Sequence, residues 1–500
     1  MVAVLLAALA APGPQADATA TGRRTPGDVA PARDDPVLRQ GMDSVVAESP
    51  AGSCLTVAVD GTVVYHHNGS QPVVPASTEK VITATVALDL LGGDHRFTTK
   101  VVAGAGATRA GTVAGDLTLV GAGDPVLTSS IYRSVRHVGA DRTVTLLDDL
   151  ASNLAAKGVT RVTGRVVGDE SRYDDARTVP SWPDRYVSQD QVGPLSALAL
   201  DDGYLLRPVA GGFTRYRAAD PAVAAAQTFT DVLRASGVQV DGEPVAGTAP
   251  DGARTLAVVR SAPLSQLVGD MLLHSDNQTG ELLTKELGRA KGTGGTTAAG
   301  AAVISGWRNA HDTAPAGTVT VDGSGLDPGN RITCDELTAL LDLGGRRGTV
   351  AAGLPVAGRT GTLAGRFQGS AAAGKLRAKT GSLMSVTALA GFVDLPEGQI
   401  ATFTYVANGS PVTHQVLAAQ DFLATLLATY RPPCAVRQDH AVLAPLGVYA
   451  AMPAALAGVP SMAAVLPGTL AALQVFAANF RPIADRCTAL DQAATVTFDP

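Results

Sequence analysis

The chain is predicted to be an α+β protein: an antiparallel sheet flanked by helices and built from two distant parts of one domain, with a large β-rich insertion. Three features of the sequence point that way. Strand patterns lie on both sides of a helical middle, so one sheet can form from the two ends of the domain. Between them, from Phe97 to about Val258, the chain turns to short strands and turns. The apolar spacing in the middle and at the end is helical rather than alternating.

In order, "SCLTVAVDGTVVYHHNGSQPVVPAST" reads as a strand, an Asp60-Gly61 turn and a second strand. A helix from Ser77 to Leu91 follows, with Val81, Ala84, Val86, Leu88 and Leu91 as its apolar positions. The inserted block holds "TTKVVAGA", "GDLTLVGAGDPVL" and "TRVTGRVVGDESRYDD", with a helix in "DPAVAAAQTFTDVLRASG". Helical spacing resumes from Leu264 to Gly288, and another helix starts near Thr333. Two strands around "GKLRAKTGSLMSVTALAGFVDL" and "IATFTYVANGS" precede a closing helix in "THQVLAAQDFLATLLATY". The expected domains are therefore 40–96 joined with 259–432, and an insertion over 97–258.

Five hundred residues suffice for sizeable cores. A net charge of −6 offers no electrostatic case for binding nucleic acid. The start, "MVAVLLAALAAPGPQADATA", has an apolar run of about ten residues, too short to span a bilayer. Small-residue cleavage sites follow it, so 1–20 are expected to be a signal peptide, although a positive n-region is missing. Residues 21–39 read as a disordered leader rich in Pro, Arg and Asp. Cys54, Cys334, Cys434 and Cys487 form no CxxC or Cys/His cluster, so no metal site is expected. Cys434 with Cys487 is the preferred disulfide, and buried free thiols are the alternative. The tail 433–500 carries no charge from Ala441 to Phe480, yet prolines interrupt any continuous helix. Short helical pieces, a poorly ordered appendage or a membrane hairpin all fit it.

Lysine is scarce in this chain, which draws attention to Lys80, three residues after Ser77, and to Lys379, followed by Thr380 and Gly381. Serine is a poor nucleophile without a base. Positions i and i+3 share a helix face, so Lys80 can reach the Ser77 hydroxyl. It can act as a base only when neutral, which burial or a second cation must bring about. Each motif alone is weak, including Ser275-Asp276-Asn277 in the helical stretch after Met271. The order Ser-x-x-Lys, Ser-x-Asn, Lys-Thr-Gly, each on the expected type of element, is much stronger.

On these residues the chain resembles the D-alanyl-D-alanine carboxypeptidase/endopeptidase family, the class C low-molecular-mass penicillin-binding proteins. The resemblance spans about residues 40–432 and includes "VVGDESRYDD", "HSDNQTGELLTKELG", "VDGSGLDPGNRIT" and "LPVAGRTGTLAGRFQGS". It implies a β-lactamase/transpeptidase-like fold and, with the long interval from Ser77 to Ser275, the insertion typical of that family. It also implies peptidoglycan stem peptides as substrate, β-lactams as acylating inhibitors, an extracytoplasmic location and no cofactor. Ser77 would attack the penultimate D-alanine carbonyl and Lys80 would take its proton. Ser275 would relay a proton to the leaving amine under the influence of Lys379, and Asn277 would hold the substrate amide. Thr380, Gly381 and Ser382 would receive the terminal carboxylate, with backbone N–H groups of Ser77 and Ser382 as the oxyanion hole. Asp169 and Tyr173 are candidate substrate contacts, with surface turn residues as the alternative.

One departure is Asp327-Pro328 after the "SGL" of the substrate loop, where the family often has Ser-Arg. "GRTGTL" imitates the Lys-Thr-Gly box but lacks a following strand. An α/β-hydrolase would need Gly-x-Ser-x-Gly, and a zinc peptidase His-Glu-x-x-His; neither occurs. The remaining rivals use the same pocket: a non-catalytic wall-binding or β-lactam-sensing protein, and a β-lactamase or D-esterase.

Overall fold

The computed structural model describes residues 35–430, apart from 137, 138, 140, 397, 410 and 411. The expected signal peptide, most of the leader, the 433–500 tail and the Cys434–Cys487 pair lie outside the described residues.

The central sheet has five strands in the order Leu376–Leu383, Val386–Asp394, Ile400–Asn408, Cys54–Val59 and Thr62–His67. Every neighbouring pair is antiparallel, and Cys54 faces Val406 across the seam between the N-terminal and C-terminal strands. The two ends of the domain thus share one sheet, as the strand patterns predict. Alternation splits its side chains between two cores. In Val386–Asp394, residues Val386, Ala388, Ala390 and Phe392 meet the helices Glu79–Leu91, Leu264–His274 and Cys334–Gly344. Leu389 and Val393 face the opposite way, onto the helices Pro36–Ala47 and His414–Thr429.

Pro36–Ala47 begins inside the stretch expected to be disordered. Asp35 accepts hydrogen bonds from the Val37 and Leu38 amides, and Pro36 stands at the first helical position, where its missing N–H costs nothing. Leu38, Met42 and Val45 are buried. Composition suggested a solvated leader, but this short amphipathic face packs on the sheet.

The helix expected from Leu264 to Gly288 is two helices, Leu264–His274 and Asn277–Lys291, broken at Ser275 in a left-handed conformation (φ 59, ψ 40). Continuous apolar spacing across the break concealed it.

The inserted block has its own five-stranded sheet, ordered Val245–Ala246, Val166–Asp169, Leu117–Val120, Thr98–Ala103 and Arg254–Arg260. Thr98–Ala103 and Arg254–Arg260, the strands with which the block begins and ends along the chain, pair antiparallel, so the chain leaves and rejoins the central-sheet unit side by side. Helices Asp148–Ala156 and Pro221–Ala235 cover it through Leu150, Leu154, Phe229 and Leu233, giving it a separate core. Among the described residues, no helix is long and apolar enough to cross a membrane.

Cys54 and Cys334 form a disulfide that joins the seam strand to the helix behind it across a separation of 280 residues. Replacing both by serine should lower the melting temperature, with a loss on the order of 2–4 kcal/mol from the longer freedom of the unfolded chain. Thermal unfolding of oxidised parent and double variant checks this.

Candidate active site

Ser77 lies in the 3-10 turn Ala76–Thr78 that leads into Glu79–Leu91. Two glycines let other segments reach this turn. Gly381 brings the edge strand Leu376–Leu383 so close that a Cβ there would stand 2.9 Å from the Pro75 carbonyl. Gly325, with φ +79, packs its backbone against the Ala76 carbonyl and the Cβ of Glu79. The nucleophile turn is thus held between the strand bearing Lys379 and the loop 322–330.

Lys80 is completely buried and its Nζ donates to three oxygens: Ser77 Oγ at 3.0 Å, Asn277 Oδ1 at 2.7 Å and the Ser324 carbonyl at 2.5 Å. Two of these, the carbonyl oxygens, can only accept. A neutral Lys80 must therefore keep its two N–H bonds on Asn277 and Ser324. Its lone pair then falls on the remaining partner, the Ser77 hydroxyl. That directs the base at the nucleophile.

Lys379 is equally buried, and donates to Ser275 Oγ at 2.7 Å and the Thr380 carbonyl at 2.8 Å. Asn277 Oδ1 fixes Lys80, and Nδ2 donates one of its two N–H bonds to the Gln191 carbonyl at 2.7 Å, which leaves the second for the substrate amide that the sequence reading gave it.

Burial pushes Lys80 down to about 8, against the pull of Asp322, Asp276, Glu281 and Glu79. Burial first, and then the charge of Lys80, pushes Lys379 well below the ordinary lysine range. The expected repulsion between the amines is present but falls on the other partner. Lys80 has carboxylates around it that oppose the loss of its proton, whereas Lys379 has the charge of Lys80 against it. Glu79 and Glu281 are each raised to about 8 by burial, so at neutral pH they are largely uncharged and weaken their own hold on Lys80.

Strand alternation puts Thr380 on the side opposite Lys379, at the open edge of the sheet, with its hydroxyl 2.9 Å from that of Thr362. Thr362 belongs to the "GRTGTL" stretch, which therefore lies against the Lys-Thr-Gly strand instead of substituting for it. Ser382 is exposed near the strand's end.

Asp169 and Tyr173 are not brought to this cluster. Asp169 accepts from the Ser171 and Ala249 amides at 2.9 and 2.8 Å, and Tyr173 donates to Glu286 at 2.9 Å. Both are buried and spend their polar atoms inside the inserted block and its contact with Asn277–Lys291. They are neither surface turn residues nor, by any contact among the described residues, neighbours of Ser77.

The resemblance marks the loop 322–330 as a substrate loop, but not its hold on Lys80. Asp322 accepts from the Gly325 and Asp327 amides, Asn330 and Trp182, at 2.6–2.8 Å, and Glu281 accepts from the Ser324 amide at 2.8 Å. Together these buried carboxyl groups aim the Ser324 carbonyl at Lys80. Asp327, at the departure from the family pattern, is itself buried and folds back onto the Gly329 amide at 2.7 Å. The contact with Lys80 is made by a backbone carbonyl, which neither the family motif nor the Asp/Gly/Ser/Asn composition of the loop reveals.

Two amines stripped of their ordinary proton affinity beside two serines are what acyl transfer through a serine requires, and the chain is a serine-type hydrolase. It belongs to the D-Ala-D-Ala carboxypeptidase 3 (S13) family, which it matches over residues 38–211 and 210–430. It is 32% identical over 477 residues to the D-alanyl-D-alanine carboxypeptidase of Actinomadura sp. (strain R39), covering 79% of this chain and 85% of that protein. A carboxypeptidase of Mycobacterium tuberculosis is 32% identical over 393 residues, covering 75% and 79%. Penicillin-binding protein 4 (dacB) from Haemophilus influenzae shares the fold, with a TM-score of 0.65 at 20% identity over 78% of this chain and 99% of that one. The β-lactamase/transpeptidase-like architecture read from the sequence is the one observed.

If Lys80 is the base, acylation should climb with pH, by about tenfold per unit, and level off near pH 8. The proton that must leave is the one its folded environment has already loosened, so the limb rises towards alkaline pH. Labelling rates with a fluorescent penicillin across pH measure this. Gly381→Ala should push the strand off the Pro75 carbonyl and slow the same labelling by about a hundredfold, while circular dichroism stays that of the parent.

Proposed function

We propose that this chain is an exported serine D-Ala-D-Ala carboxypeptidase that cleaves peptidoglycan stem peptides through an acyl-enzyme and is acylated by β-lactams. The observation that carries the reading is the three-way hold on Lys80, which leaves Ser77 as the one partner able to donate a proton to it.

In the proposed reaction the Ser77 hydroxyl proton moves to the Lys80 lone pair as Oγ bonds to the carbonyl carbon of the penultimate D-alanine. The N–H groups of Ser77 and Ser382 receive the oxyanion. Collapse breaks the peptide C–N bond, and the departing amine takes a proton from the Ser275 hydroxyl. Lys379, 2.7 Å from Ser275, supplies the replacement, or passes on the proton that Lys80 accepted. Water then attacks the ester and restores Ser77. Thr380 and Ser382, on the rim, meet the terminal carboxylate. A substrate carboxylate beside Lys379 would raise that amine's proton affinity, so binding itself would prepare the proton donor for the leaving group.

Export is supported by the Cys54–Cys334 disulfide, which persists in an oxidising compartment, and by a family whose relatives are named for D-alanyl-D-alanine cleavage. The expected signal peptide over 1–20 completes the proposal.

The test uses a fluorescent penicillin and a diacylated pentapeptide ending in D-Ala-D-Ala. Stable label in the parent, none in Ser77→Ala, and release of D-alanine are expected. Label without release would assign the pocket to sensing or wall binding, and rapid loss of label to a β-lactamase or D-esterase.

A further inference from the structure

Besides Trp182 on the loop 322–330, two parts of the inserted block reach the Ser275–Asn277 turn. One is the Gln191 carbonyl on Asn277. The other is the segment Asp141, Arg142 and Thr143, which lies along Leu264–His274 and reaches past its end.

Arg142 spans the two carboxylates that bracket Ser275. Its Nη2 is 3.3 Å from Asp276 Oδ2, and its Nε is 3.4 Å from Asp270 Oδ2. Asp276 caps the following helix, its Oδ1 accepting from the Thr279 amide at 2.7 Å, so Arg142 holds the residue that starts that helix. Asp270 is buried and its Oδ2 has no hydrogen-bond partner, which leaves the guanidinium as its charge compensation. Neighbouring contacts close the clasp: the Thr143 amide donates to Asp270 Oδ1 at 3.3 Å, and His274 pairs with Asp270 and Asp141 at 3.2 and 3.4 Å. Between Asp270 and Asp276, Ser275 adopts a left-handed backbone that is strained for any residue but glycine, and it persists only where its surroundings impose it.

Arg142 also stands among negative charge. Asp276, Asp270 and Asp202 all raise its proton affinity. Burial, and then the charge of Asp276, push Asp202 up to about 6, against the hydrogen bond from Tyr132 and the charges of Arg142 and Arg215. Around Lys80 the charged and titratable groups are Asp322, Asp276, Glu281 and Glu79, with Lys379 on the far side of the serines. Asp276 is common to both sets.

We propose that Arg142 is a positioning residue for this reaction: by binding Asp270 and Asp276 it imposes the Ser275 turn and balances the Asp276 charge that acts on Lys80, which makes the inserted block a working part of the active site. The proposal rests on the reading of Ser77, Lys80 and Ser275 as the reacting groups.

Acylation by a fluorescent penicillin across pH tests it. In Arg142→Met the uncompensated carboxylates hold the Lys80 proton more firmly. Acylation should slow by about tenfold or more, and its rising limb should move to higher pH by about one unit. Arg142→Lys keeps the charge without the two-armed reach, so the limb should return while part of the rate stays lost. Arg142→Met with Asp276→Asn should also bring the limb back, since asparagine still caps the helix. Parent-like rate and limb in Arg142→Met would overturn the proposal. So would equal slowing in the Met and Lys variants with no movement of the limb. Should Arg142→Met fail to fold, Asp276→Asn alone decides, because the limb must then move to lower pH, and a stationary limb refutes the idea. Label retained by Ser77→Ala would instead sink the functional reading itself.

Discussion

The chemistry depends on one amine enclosed by three oxygens. Lys80 has no water to turn to, and two of its three partners are carbonyl groups that can only accept. Whatever sets those two carbonyls decides where the lone pair points, and much of the surrounding structure is accounted for by that need. Asn277 is fixed from its far end by Gln191, and the Ser324 peptide is fixed from its N–H side by Glu281. Asp322 then gathers the loop that carries Ser324.

The same enclosure sets the electrostatics. Carboxyl groups close to a buried lysine would ordinarily keep it charged and useless as a base. Here burial raises the proton affinity of Glu79 and Glu281, and the pull on Lys80 is reduced without removing the groups that build the loop. Lys379 is lowered by burial and then by the charge of Lys80, with no carboxylate opposing it. The two lysines are therefore chemically distinct although both are buried amines beside a serine.

The fold and the clustering of the proposed site residues were legible because each side chain proposed to react sits in a short motif with its own residue types: Ser77 with Lys80, Ser275 with Asn277, Lys379 with Gly381. The sheet built from two chain ends was legible for the same local reason, since its strands alternate or run apolar within a few residues. What was not legible works through backbone atoms or over long sequence distances. The Ser324 and Gln191 carbonyls have no residue signature. Arg142 lies more than a hundred positions before Asp270 and Asp276, and nothing near it suggests a partner. The break at Ser275 was hidden by apolar spacing that continues through it. Pro36–Ala47 was hidden by a composition that resembles a leader. Asp169 and Tyr173 were drawn in by resemblance, and their polar atoms turn out to serve the packing of the inserted block.

Strand Cys54–Val59 completes its hydrogen bonding only against Ile400–Asn408, and Lys379 comes from the strand two places further along that sheet. During synthesis the segment bearing Ser77 therefore emerges long before the chain that must lie beside it. Until those last strands arrive the Ser77 hydroxyl has no Lys379 strand beside it, and pairings between such distant segments close slowly.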